Sequence, residues 1–131
     1  MMQHSAAEGF GCARCWPADA DAAWEARQSL RRETELVDEP HFHTMLLVCG
    51  ACGQRFLSVL IETVDWANGD DPQHWSLLPL TAHEAAELRG GLSGSGLAAL
   101  GCDRRSLRRD HPAAGAARVF WSTGVATVPH D

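Results

Sequence analysis

Four of the five cysteines in this 131-residue chain form two matched pairs, Cys12 and Cys15 in "GCARCW" and Cys49 and Cys52 in "VCGACGQ", with 33 residues between the pairs. Sulfurs at this spacing are the donors of a tetrahedral metal site. A Cys-x-x-Cys turn presents two thiolates to one side of an ion while backbone N–H groups point at them, and two such turns complete the shell. A shell of four cysteines leaves no open coordination position, so the cofactor it implies is one structural Zn2+. Two rival readings stay open. A thioredoxin-type pair opens a helix after a strand; "CARCWP" precedes a helical stretch with Arg14 beside it, but no strong strand comes before it. Four unrelated buried cysteines would not be expected to share a spacing. Cys102 has no partner in sequence and reads as a small packed residue.

The elements that must position these sulfurs follow from pattern. Pro17, Asp19 and Asp21, with Arg27, Arg31 and Arg32 downstream, predict a short helix over about 18 to 32, anchored by Trp24 and Leu30. "HFHTMLLVC" (41 to 49) and "RFLSVLIETVDW" (55 to 66) are apolar on both alternating faces, which marks covered strands. Asn68-Gly69 predicts a hairpin turn into a third strand, "HWSLLPL", which Pro79 should end or confine to an edge. Gly50 and Gly53 are expected to take positive φ so that the chain can curl under a metal. Thr81 and Glu84 fit a capping box, and Gly90-Gly91 ends the helix it opens. The stretch "LAALGCDRRSLRRD" reads as broken helix and "ARVFWSTGVATV" as a strand pair or bent strand.

Residues 10 to 66 resemble the zinc-ribbon class, in which two Cys-x-x-Cys knuckles, each on a hairpin or turn, clamp one Zn2+. The resemblance rests on the four cysteines and the strands flanking Cys49 and Cys52. The gap is longer than the roughly 15 to 20 residues of the compact pattern, as a helix inserted between the knuckles would explain. It implies an α+β fold: a zinc-ribbon-based antiparallel sheet with a few short helices. Residues 1–131 then form a single domain, with a sheet core over 10–80 and a helical segment and C-terminal strand over 81–131.

Beyond the cysteines, His41 and His43 alternate on a predicted strand as ligands of a second metal would, and His74 with Asp70 or Asp71 are the residues they would join. The plainer reading is surface histidine. Asp65, Asp70 and Asp71 surround the hairpin turn without the order of a calcium loop, and Trp66 and Trp75 flank it. An acidic tip with an exposed tryptophan is a partner surface; a solvated turn over packed rings is the alternative. Arg104, Arg105, Arg108 and Arg109 fall at i, i+1, i+4 and i+5, one broad basic face if helical. That face would suit phosphate, or pair with the acidic segment before it.

Charge bounds these readings. The net formal charge is −6; residues 56 to 88 hold six acids and no base, and 89 to 118 hold six Arg against two Asp. This balance argues against a uniform nucleic-acid-binding surface and leaves a local one open. All eleven basic residues are Arg, the bias of a GC-rich, bacterial genome. No basic-then-apolar leader and no span-length apolar run is present, so a cytoplasmic location with reduced thiols and no membrane partner is expected. The leading functional expectation is a non-enzymatic module engaging another protein, a small regulator or an inhibitor or immunity-type protein. Nucleic-acid association through the arginines is the alternative, and a metal- or thiol-dependent enzyme a further one.

Overall fold

The computed structural model describes residues 9–62, 72–91, 99–112 and 115–125. Their frame is one six-stranded antiparallel sheet in sequential order: β1 (Arg31–Glu39), β2 (Phe42–Val48), β3 (Arg55–Glu62), β4 (Gln73–Leu80), β5 (Arg105–His111) and β6 (Arg118–Thr123). Helix α1 (Ala20–Ala26) runs into a 3₁₀ turn, Arg27–Ser29, and α2 (Ala82–Arg89) follows β4. Antiparallel α+β is therefore the fold class, and no described helix is long and apolar enough to cross a membrane.

Two-sided apolarity in β2, β3 and β4 is explained by cover on both faces. Leu46, Leu57, Val59, Ile61, Leu78 and Leu80 turn to one face and pack under Ala85 and Leu88 of α2. Phe56, Leu77 and Leu107 turn to the other and pack with Cys15, Trp16, Ala23 and Cys49, so α1 and both cysteine turns belong to that layer. One sheet, alternating by residue, thus serves two cores.

Several expectations are corrected. The helix expected over 18 to 32 stops at Ala26, and Arg31 and Arg32 lie in β1. With alanine supplying most of its apolar face, the helix gains little from further turns, whereas Arg31–Glu39 finds the free edge of β2. As an edge strand β1 is charged and its pairing slips twice, features that discourage association with another sheet.

Pro79 is expected to end β4 or lie at an edge; β4 continues through it to Leu80, on a stretch paired with β3 alone. The missing donor is harmless because the β4–β5 pairing stops at Leu77. Beyond that point the Arg104 guanidinium replaces a strand, donating to the Pro79 carbonyl at 2.8 Å.

Arg105–His111 is a strand where a helical basic face was expected. Ser106 and Leu107 are buried, and pairing on both sides with β4 and β6 overrides the helical spacing of the arginines. Residues 118–123 form one strand, β6. The expected turn at Asn68-Gly69 lies outside the described residues.

The predicted capping box is present: Thr81 N–H donates to Glu84 at 2.9 Å, and Glu84 N–H to the Thr81 hydroxyl at 3.1 Å. Glu84 also accepts both ends of the Arg104 guanidinium, at 2.7 and 3.0 Å, and both side chains are largely buried. Burial pushes the Glu84 carboxyl up, but Arg104 and the Thr81 N–H outweigh it and hold it below the usual carboxylate value. A depressed folded value contributes stability above the unfolded pKa and loses it as pH falls through the folded one. Arg104→Gln should therefore cost about 2 kcal/mol at neutral pH in urea denaturation. Its penalty should shrink below the ordinary Glu range near pH 4.5; a penalty constant with pH would contradict the clamp.

Candidate metal centre

The two cysteine turns are built differently. Cys49–Cys52 is the loop of the β2–β3 hairpin, closed by Cys49 N–H to the Gln54 carbonyl at 2.9 Å and Gly53 N–H to the Cys49 carbonyl at 2.8 Å. Cys12–Cys15 sits in a turn ahead of α1, closed by Trp16 N–H to the Cys12 carbonyl at 2.8 Å. Trp16 anchors this turn in the core, with Phe56 at 5.3 Å and Trp121 at 5.1 Å between ring centroids. Trp121 in turn donates its indole N–H to the Ala18 carbonyl at 3.0 Å. Asp19 caps α1 by accepting from Ala22 N–H at 2.8 Å. A hairpin and an aromatic anchor thus deliver the two halves to one place.

There the four sulfurs lie within 4.8 Å of one another, and they are the one group of three or more metal-ligating side chains among the described residues. Cys12 and Cys15 are 3.7 Å apart, Cys12 and Cys49 4.0 Å, and Cys15 and Cys52 3.8 Å. Tetrahedral coordination with metal–sulfur bonds of about 2.3 Å separates its sulfurs by about 3.8 Å, so the donor set fits such an ion. All four cysteines are free thiols, far beyond the roughly 2.05 Å of a disulfide. Cys15 and Cys49 are buried, Cys12 is half-buried and Cys52 is exposed. Cys52 borders a cleft of about 400 Å³ that runs from Phe10 to Thr81.

The sulfurs differ in acidity. The Cys12 thiol is lowered from 9.0 to about 7, first by the Cys15 backbone N–H directed at it and, against the cost of burial, by the Arg14 N–H. Arg14 acts through its backbone here. Burial pushes Cys15 and Cys52 up, Cys15 most. A metal must displace these protons, so uptake releases them and weakens as pH falls.

Two glycines carry the backbone, and only one is among those expected. Gly53 has φ +80°, but Gly50 does not take positive φ; the other is Gly11, at +69°, just before the first knuckle. A Cβ on Gly11 would stand 2.6 Å from Trp16 Cβ, so the close turn against the anchor requires glycine. Gln54 is the residue that sequence reading missed. Its side-chain carbonyl accepts from Gly11 N–H at 2.9 Å, and its amide donates to the Arg55 and Leu80 carbonyls, each at 2.7 Å. It therefore ties both knuckles to β4. The one sequence signal was its place directly after "CGACG".

The histidines lie elsewhere. His41 precedes β2 with φ +69°, its Nδ1 3.3 Å from Glu62, while His43 Nδ1 is 2.9 Å from Asp38. His74 pairs with Asp110 at 3.0 Å and, by strand register, is on the opposite face from His43. Asp65, Trp66, Asp70 and Asp71 lie outside the described residues. Trp75 is half-buried and donates to Ser58 Oγ at 2.9 Å. Arg104 is bound to Glu84; Arg105 and Arg109 share the α1 face of β5, and Arg108 is on the other face, donating to the Thr123 carbonyl at 2.8 Å. The expected single basic face is thereby split. Cys102 is exposed. Compared with known proteins, the chain matches no family model, no curated protein and no solved structure.

The glycines and Gln54 make a graded test by chemical denaturation and metal titration. Gly50→Ala should be near neutral and Gly53→Ala should cost about 1 kcal/mol for its left-handed backbone. Gly11→Ala should cost more and weaken metal binding, as should Gln54→Leu with the thiols intact. Equal effects at the three glycines would contradict this geometry.

Proposed function

We propose that this chain is a non-enzymatic binding module whose fold is clamped by one structural Zn2+ and which engages another protein. The observation that carries the reading is the closed set of four sulfurs joining the N-terminal turn to the β2–β3 hairpin. Four thiolates suit Zn2+ in a structural site, and a complete protein shell leaves no position for substrate or an activated water. The ribbon-like element is the β2–β3 hairpin knuckle; the first knuckle stands on an aromatic anchor instead of a second hairpin.

Removal of the ion would leave four crowded thiols beside the Trp16–Phe56 core, so metal binding is folding free energy in this design. The protein partner is inferred from the acidic 56 to 88 segment, whose complement is a basic surface. A regulator or an inhibitor or immunity-type protein in a bacterial cytoplasm is the biological form we assign to it, by analogy of size and charge alone.

Metal analysis of the purified protein should find one zinc per chain, with thiols unreactive until a chelator is added. Cys49→Ser should lose the metal and unfold or aggregate; a well-folded, metal-free Cys49→Ser protein would sink the clamp. Thiols that cycle between dithiol and disulfide without loss of fold would return the redox enzyme to first place. For the partner, proteins captured from the native host by the wild-type chain should be lost with Asp70→Asn/Asp71→Asn. The same set retained by both would remove the acidic segment from the proposal.

A further inference from the structure

Several half-buried arginines have an acceptor: Arg55 takes Glu33, Arg104 takes Glu84, and Arg108 takes backbone carbonyls, whereas Arg105 rests on Trp121. Arg27 and Arg109 have no ion pair among the described residues. They meet on tryptophan instead. The Arg27 guanidinium is 3.6 Å from the Trp24 ring centroid and 5.9 Å from that of Trp75, and Arg109 is 4.7 Å from Trp24. The two rings stand edge to face, 4.8 Å apart at 80°. Trp75 is pinned by its bond to Ser58, and Arg109 sits in register with it across β4 and β5. α1 carries Trp24, the 3₁₀ turn Arg27, β4 Trp75 and β5 Arg109, so four elements build the cluster.

This arrangement is electrostatically incomplete. Arg27 Nε is buried with no hydrogen-bond partner among the described residues. Burial first and the Arg109 charge second hold the Arg27 guanidinium below its usual value, and the exposed Glu25 offsets that only in part. Cation–π contacts of this kind contribute about 0.5 to 2 kcal/mol, but they leave the N–H groups at the guanidinium edges without acceptors. A partly buried cation next to a like charge is unfavourable until an anion joins it.

We propose that Arg27 and Arg109, held on the Trp24–Trp75 platform, form a binding site for a single phosphoryl group, carried by a mononucleotide or at the end of a single-stranded oligonucleotide. The choice of phosphoryl over carboxylate follows from acceptor counting. Within this protein a carboxylate takes one guanidinium fork at short distance, as in Glu33–Arg55 at 2.8 and 2.9 Å and Glu84–Arg104 at 2.7 and 3.0 Å, and a second guanidinium only at longer range, as Arg89 on Glu33 at 3.5 Å. Two guanidiniums on one indole ring, 3.6 and 4.7 Å from its centroid, call for an anion of higher charge with more oxygens, which a phosphoryl group supplies. Glu35 and Asp38 line the β1 side of the same face, in register with Met45 and His43, and would repel a phosphate backbone crossing the sheet. The site therefore takes a single phosphoryl group. It is independent of the metal and of the protein-partner reading.

Tryptophan emission and thermal denaturation of the zinc-loaded full chain test this, with inorganic phosphate, a mononucleotide and a short single-stranded oligonucleotide as probes against chloride at equal ionic strength. The wild type should respond to at least one probe, and the tightest identifies the carrier. Arg27→Gln and Arg109→Gln should each weaken that response about tenfold or more, while Arg31→Gln, on the exposed edge strand, should leave it unchanged. Should Arg27→Gln fail to fold, Arg109→Gln alone carries the comparison. No response to any phosphate probe, an equal response from wild type and both variants, or binding of a polyglutamate peptide in their place would overturn the proposal.

Discussion

The approach of Cys12 and Cys15 to Cys49 and Cys52 is the constraint on which the rest of the molecule depends. It joins two parts of the chain 37 positions apart, with sulfur separations of 3.8 to 4.0 Å between the knuckles. Without it the N-terminal turn would be held to the sheet by aromatic packing and the hydrogen bonds of Gln54 and Trp121, and α1, which contributes little besides Ala23 and Trp24, would lose its fixed start. With it, the layer over Phe56, Leu77 and Leu107 is complete. Gln54 extends the same constraint into the backbone, since its side chain bonds the residue before one knuckle and the strand beyond the other.

The second face depends on a different device. α2 is short and weakly apolar, and it is held by its capping box and by Glu84, which serves the helix start and Arg104 together. Arg104 also stands in for the strand that β4 lacks beside Pro79. One largely buried ion pair thus links a helix cap, a strand end and the start of β5. Such a pair is costly to break because either partner left alone is a poorly solvated charge.

The same logic separates the arginines by task. Those facing carboxylates or carbonyls hold elements together, whereas Arg27, Arg105 and Arg109 rest on indole rings. In sequence all are equivalent basic residues. Arg105 and Arg109 are brought to one face, and Arg108 is sent to the other, by the two-residue period of β5.

What was legible in the sequence was what local spacing determines. The Cys-x-x-Cys pairs declare the candidate donor set because two sulfurs three positions apart already share a turn. The alternating apolar runs declare β2, β3 and most of β4, and Thr81 with Glu84 declares the start of α2, because these patterns concern neighbours in the chain. β1, β5, the tolerance of Pro79, the roles of Gly11 and Gln54, and the Arg27–Arg109 cluster were decided by tertiary structure. β1 and β5 are too polar to announce a strand and become strands because a neighbouring edge offers hydrogen bonds. Gly11 is needed for its distance from Trp16, and Gln54 for carbonyls and N–H groups up to 43 positions away. Contacts of that range leave no periodic trace along the chain, since their geometry exists only once the sheet has assembled.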